Sequence, residues 1–229
     1  MKKIFYLLVM VFAVFLISGC GDKINKDSPL YKAKENMVKN LDNYSMDANI
    51  ALVNIDGAKV NLECKEDRKN EITYCRTTAV GVGTEEYTDN KNKVSYSKVY
   101  DTYGVTSNNE WTKSKLPSSE VDDQWLGLND YIFELEEEKL DSGTKYSGII
   151  NLKKIFGLLE KFELPIDFAS FMDKDVDITV IVNNDNYIER MSMSFEVLGV
   201  KMVVDLNYYD YNKVGDIVIP DEVLKAKEN

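Results

Sequence analysis

Apolar and polar residues alternate with period two along most of this chain, and helical spacing appears only in short stretches. Tyr44, Met46, Ala48, Ile50 and Leu52 alternate with Ser45, Asp47, Asn49 and Ala51, which predicts a strand with one buried face. Asp56-Gly57 is a tight-turn signal, and Lys59 to Cys64 returns as the next strand. Residues 72–79 and 94–100 continue the meander through Val94, Tyr96 and Tyr100, and Trp111 lies on a further strand. The last third alternates most strictly. Val176, Ile178, Val180 and Val182 lead to the turn Asn183-Asn184-Asp185-Asn186. Met191, Met193, Phe195 and Val197 follow, then Gly199, then Val200, Met202, Val204, Leu206 and Tyr208. These three strands predict an antiparallel meander with one strongly apolar face. A final segment ends at Ile217-Val218-Ile219-Pro220.

Helical spacing is confined to three places. Ser28-Pro29 reads as an N-cap with proline at the first helical position, and Leu30, Ala33, Met37 and Leu41 then predict a helix over 29–41. Asn129 to Lys139 reads as a short acidic helix with Tyr131, Ile132 and Leu135 inward, before a strand over Tyr146 to Ile150. Asn151 caps an amphipathic helix carrying Leu152, Ile155, Phe156, Leu159 and Phe162 and ended by Pro165; Phe168, Phe171 and Met172 add another turn. The pattern predicts an α+β protein, mostly antiparallel sheet with a few short helices.

The N-terminus stands apart from this pattern. Met1-Lys2-Lys3 is cationic, and Ile4 to Ile17 carries no charge. Crossing a bilayer core of roughly 30 Å as a permanent helix takes about 20 residues, so this run fits the core of a secretory signal instead. Leu16-Ile17-Ser18-Gly19-Cys20 matches a lipobox: a branched apolar residue, two small residues, then the cysteine that is acylated and becomes the new N-terminus. The organisation expected is therefore a signal peptide over 1–19, a lipidated Cys20 with a polar tether to residue 28, and one β-rich domain over 29–229. One acyl chain holds a protein to a membrane only marginally, and lipoprotein processing adds at least two, palmitate-like in length. The eight residues Gly21 to Ser28 reach about 28 Å at most, so the domain is expected at the outer face of the cell membrane, lipid-anchored.

Charge narrows the function. Residues 1–19 contain Lys2 and Lys3 and no acid, so the rest of the chain has 26 basic and 39 acidic side chains, a net charge of −13. Such a surface repels nucleic acid, which is discarded as a partner. The chain has no histidine, which removes the commonest general base, the usual zinc ligand and every Ser-His or Cys-His nucleophile. No catalytic residue, metal site or cofactor is expected. Asp173, Asp175 and Asp177 suggest calcium, but an EF-hand loop starting at Asp173 would need glycine and glutamate where Ile178 and Asn184 stand. Glu134, Glu136, Glu137 and Glu138 read as the wet side of a helix.

Two constellations remain. Cys64 and Cys75 flank a polar, turn-like stretch; with the turn at Lys69-Asn70 they fall opposite one another on a hairpin, and in an exported protein that pair forms a disulfide. Met46, Met191, Met193 and Met202, with Ile50 and Phe195, fall on inward positions of neighbouring strands. Methionine suits surfaces that accept varied apolar partners. These residues are either plain core or the lining of a groove for an apolar ligand.

The order of elements resembles the LolA-like half-barrel family of exported bacterial lipoproteins. The ending Asn207-Tyr208-Tyr209-Asp210-Tyr211-Asn212-Lys213-Val214, then Ile217-Val218-Ile219-Pro220, is similar to that of Gram-positive members. The resemblance implies a curved sheet closed by helices around an interior able to hold acyl chains. The expected function is non-enzymatic binding of a lipid-like ligand at the cell envelope. The alternative is a surface module with a fully packed core that binds an envelope protein or the cell wall.

Overall fold

Ser28 opens the described chain as expected: its hydroxyl accepts a hydrogen bond from the Tyr31 N–H (3.2 Å), and Pro29 occupies the first helical position. The computed structural model describes residues 27–53, 59–101, 110–116, 132–151, 175–197 and 200–228. Cys20, the signal segment, the Asp56-Gly57 turn, Gly199 and the helices expected after Asn151, to Pro165, and over 168–172 lie outside the described residues. The chain packs as two compact units, one containing residues 1–38 and 120–188, the other residues 39–119 and 189–229.

In the first unit, helix α1 (Pro29–Glu35) buries Leu30 and Ala33. The helix expected over 29–41 is shorter than predicted, because its last turn loosens into a π-helical stretch, Asn36–Asn40. Three strands, which we number β7 (Ile132–Leu140), β8 (Gly143–Asn151) and β9 (Asp175–Asn183), form an antiparallel meander. Val176, Ile178, Val180 and Val182 are buried on one face of β9, as their alternation predicts. The acidic helix expected over Asn129 to Lys139 is a strand from Ile132 onward. Glutamate favours helix only weakly. Here the Asp141-Ser142 turn brings β7 against β8, where Glu138 meets Lys145 across the hairpin (2.9 Å) and Glu137 pairs with Lys139 (2.8 Å). Tertiary pairing outweighs propensity.

The second unit holds nine strands. They are β1 (Asn43–Leu52), β2 (Lys59–Asp67), β3 (Ile72–Ala79), β4 (Val82–Asp89), β5 (Val94–Asp101), β6 (Thr112–Lys115), β10 (Ile188–Val197), β11 (Val200–Tyr209) and β12 (Lys227–Glu228). Their order is β12-β6-β5-β4-β3-β2-β1-β11-β10, antiparallel throughout except for the parallel pair β12-β6, so this sheet does not close on itself. The fold class is the α+β, mostly antiparallel sheet with short helices that the sequence predicts. Strand β4 has no counterpart in the predicted meander, and Trp111 sits just before its strand instead of within it.

The register shows that apolar side chains change face along this sheet. On β2, β1, β11 and β10 one face is apolar: Leu62, Cys64, Tyr44, Met46, Ala48, Ile50, Leu206, Val204, Met191 and Met193 are buried on it. On β3 to β6 that same face carries Thr73, Thr77, Thr84, Glu86, Thr88, Ser95, Ser97 and Thr112. There the opposite face is apolar instead, with Ile72, Tyr87, Val94, Tyr96 and Trp111 packed under Ile219, Val223 and Ala226. The chain after Tyr209 makes that cover. It runs through the predicted Ile217 to Pro220 segment into a one-turn helix, α2 (Asp221–Leu224), and ends beside β6. Asp67, buried at the end of β2, clasps this segment: it accepts from the Ile217 N–H (2.9 Å) and from both the backbone (3.1 Å) and side chain (2.7 Å) of Asn70.

Candidate functional site

The six apolar residues singled out in the sequence fall together on the apolar face of β1, β11 and β10. Met46 stands opposite Tyr208, Ile50 opposite Val204, Met193 opposite Val204, Met191 opposite Leu206, and Phe195 opposite Met202. Strict alternation on each strand places them there, since partners in an antiparallel register share a face. Met46, Ile50, Met191 and Met193 are buried, whereas Phe195 and Met202 are half-buried at one end of their strands.

The two ends of this face differ. At one end Tyr44 and Tyr208 are buried with ring centroids 6.0 Å apart. The Tyr44 hydroxyl donates to Glu66 Oε2 (2.5 Å), Arg68 Nε donates to Glu66 Oε1 (2.8 Å), and the Arg68 guanidinium lies 5.5 Å from the Tyr44 ring centre. Burial, and then the Glu66 carboxylate beside it, push the Tyr44 phenol well above its usual range, and the same two causes raise Tyr208. Both phenols stay neutral, and the end is stoppered by a satisfied polar cluster. At the other end Leu52, Val60, Met202 and Phe195 are half-buried, and Val53, next after Leu52, is exposed; the exposed Val80, Val82 and Val99 lie to the side, at the β3–β4 turn and on β4 and β5. The face is thus buried toward the tyrosine end and half-buried toward the other.

Cys64 and Cys75 are register partners on β2 and β3, with Cα atoms 4.2 Å apart and their sulfurs bonded. Cys64 is also opposite Met46, so the disulfide borders the methionine face where that face turns from apolar to hydroxyl-lined.

The opposite face of the same strands is polar. A depression of about 390 Å³ is lined there by Asn49, Ala51, Lys59, Arg190, Asp205 and Asn207, with Ile50 at its edge. Burial works to raise the Asp205 carboxyl, but hydrogen bonds from Ser192 (2.5 Å) and Arg190 (2.7 Å) outweigh it and hold it below the usual range. Amides and paired charges suit this depression poorly to hydrocarbon. Among the described residues no group of three or more acidic or cysteine side chains converges as a metal site would require; Asp177 lies exposed on β9.

The lipoprotein LppX of Mycobacterium tuberculosis superposes on 85% of this chain and on the whole of its own, with a TM-score of 0.52 at 16% identity. The two share a fold. An uncharacterized conserved protein from Thermus thermophilus aligns with 88% of this chain and 96% of its own at a TM-score of 0.45 and 10% identity. A LolA superfamily protein from Nitrosomonas europaea aligns with 87% and 97% at 0.31 and 14%. The LppX superposition is the one that defines the fold. No protein-family model matches the chain, and no curated protein does.

Sequence reasoning found the methionine face and the cysteine pair. It missed the Tyr44–Glu66–Arg68 stopper and the exposed valines. A usable signal for the latter is Ala79-Val80-Gly81-Val82, a hairpin tip without a single polar side chain; such tips are ordinarily polar.

Proposed function

We propose that this chain is an exported lipoprotein, anchored through Cys20 at the outer face of the cell membrane, that binds a lipid-like ligand without catalysing a reaction. The ligand lies along the face formed by Met46, Ile50, Met191, Met193, Phe195 and Met202. The observation that carries this reading is the graded burial of that face, buried toward the tyrosine end and only half-buried at Leu52, Val60, Phe195 and Met202. Flexible methionine side chains on neighbouring strands, with Phe195 among them, give a lining that can repack around varied chains. The fold shared with LppX, itself a lipoprotein, supports the envelope setting.

The burial of Met46, Ile50, Met191 and Met193 favours a second reading, a sealed core in a module that binds an envelope protein or the cell wall. Native mass spectrometry of residues 21–229, with solvent extraction, separates the two. Ligand binding gives a co-purified lipid near one per protein, lost in Met202→Lys and Phe195→Lys, whose half-buried positions tolerate charge. A bare protein mass that takes up no added lipid sinks the ligand reading and leaves the interaction module.

A further inference from the structure

We infer that the polar depression on β2, β1, β11 and β10 is a binding site for the uncharged, hydroxyl-rich rings of a carbohydrate. Neighbouring strands bring its polar groups together in register. Asn49 stands between Asn61 on one side and Asp205 on the other, and Asp47 stands opposite Asn207. Asparagine and aspartate are depleted in strands, where β-branched and aromatic residues pack better. Edge strands use polar residues to deter pairing with other chains, but β2, β1 and β11 are interior strands with a partner on each side. Residues that break a local rule together, without such a reason, are expected at functional sites. Among the described residues the side-chain amides of Asn49, Asn61 and Asn207 have no hydrogen-bond partner, so each keeps donors and an acceptor for a ligand.

Charge, an aromatic edge and the position in the sheet select a carbohydrate as the occupant. Lys59 and Arg190 balance Asp47 and Asp205, and Lys65 balances Glu63 beyond them, in a chain whose net charge is −11. An anion meets carboxylates here and a cation meets lysine and arginine, so an uncharged ligand fits best. Ser192 (2.5 Å) and Arg190 (2.7 Å) both bond Oδ1 of Asp205, which leaves Oδ2 to accept from a hydroxyl. Tyr209, two residues along from Asn207 on the same face, is 40% exposed, and its hydroxyl donates to Asp47 (2.8 Å). A ring held this way offers an apolar surface to the C–H face of a sugar. A peptide is the poorer occupant, because it would add to an open sheet edge, and the depression lies in mid-sheet. The site is on the opposite face from the methionines, so it does not rest on the lipid reading.

Saturation-transfer difference NMR on the full chain, held in a detergent without a sugar headgroup, provides the test, with chitohexaose, cellohexaose and maltohexaose as probes. Transfer to the ring protons of at least one probe is expected. The paired substitution Asn49→Thr and Asn207→Thr is expected to weaken that binding about tenfold. Its Tm should hold or rise, because threonine suits a strand better than asparagine. Tyr209→Ala is expected to weaken binding as well. No transfer to any of the probes, or transfer that survives the paired substitution, overturns the inference. A fall in Tm of the paired variant makes the amides structural and overturns it too, as does stronger transfer to an uncharged hexapeptide. Any co-purified lipid should stay at its wild-type level in these variants, so this site and the methionine face fail separately.

Discussion

Asparagine in place of Asp67 probes the clasp between the β2–β3 turn and the C-terminal cover. The carboxylate accepts three hydrogen bonds, from the Ile217 N–H and from the backbone and side chain of Asn70, while buried. Burial alone would raise its pKa. The bonds from Asn70 and Ile217, with Lys69 nearby, outweigh that and hold it below the usual range. The substituted side chain would be isosteric, but its amide places a donor against at least one of the three donors. Hydrogen bonds to a charged group are worth about 1.5–3 kcal/mol each, so losing one or two amounts to about 3 kcal/mol. For a chain of this size that lowers Tm by roughly 6–12 °C. Because the folded pKa is the lower one, the stabilisation is complete above the unfolded value of about 3.9 and is lost as pH falls through the folded value. Thermal unfolding of Asp67→Asn and wild type, followed by circular dichroism, should show a wide gap near neutrality that narrows as pH falls below the unfolded value of about 3.9. A variant within about 2 °C of wild type at neutral pH, or a gap unchanged in acid, refutes the clasp.

Reduction of Cys64–Cys75, or its replacement by serines, reopens a short loop with an eleven-residue separation and should cost about 3 kcal/mol in the chain-entropy account. Urea titration should show the midpoint falling by about 1 M, and an unchanged midpoint in protein shown to be reduced contradicts it. Gly143→Ala should destabilise the β8–β9 pair, because Gly143 has φ 154° and a Cβ there runs into the Val182 carbonyl oxygen. A loss of about 2 kcal/mol or more is expected, read as faster hydrogen exchange in β8 and β9; wild-type exchange rates count against it.

The elements that were legible in the sequence are those with one apolar face and clear turns. β1, β9, β10 and β11 announce themselves by alternation, and the cysteine register follows once the Arg68 to Glu71 turn is placed. β4 is different: on Val82–Asp89 one face holds Thr84, Glu86 and Thr88 and the other holds Glu85 and Tyr87, so no apolar period appears. β7 misleads for the opposite reason, since its glutamates satisfy a helix as readily as a wet strand. The site was half legible. Alternation says which residues share a side of one strand, but only the pairing register shows that β3 to β5 turn their apolar side away from that of β1. The Tyr44–Glu66–Arg68 cluster joins residues from two strands and a turn whose proximity no local pattern encodes.

The C-terminal cover gives the chain a fixed order of completion. Asp67 meets Ile217 across 150 residues, and Tyr209 reaches back to Asp47 across 162. Contacts so distant in sequence form slowly, and here they depend on the last strands of the chain to emerge. A polypeptide that threads through a translocation channel N-terminus first, as the proposed signal peptide requires, cannot finish either the β1–β11 pairing or the second core while its tail is still inside the cell. On that proposed route, the cover of Tyr96 by Ile219 and Val223 would leave the sheet incomplete until the final residues leave the channel.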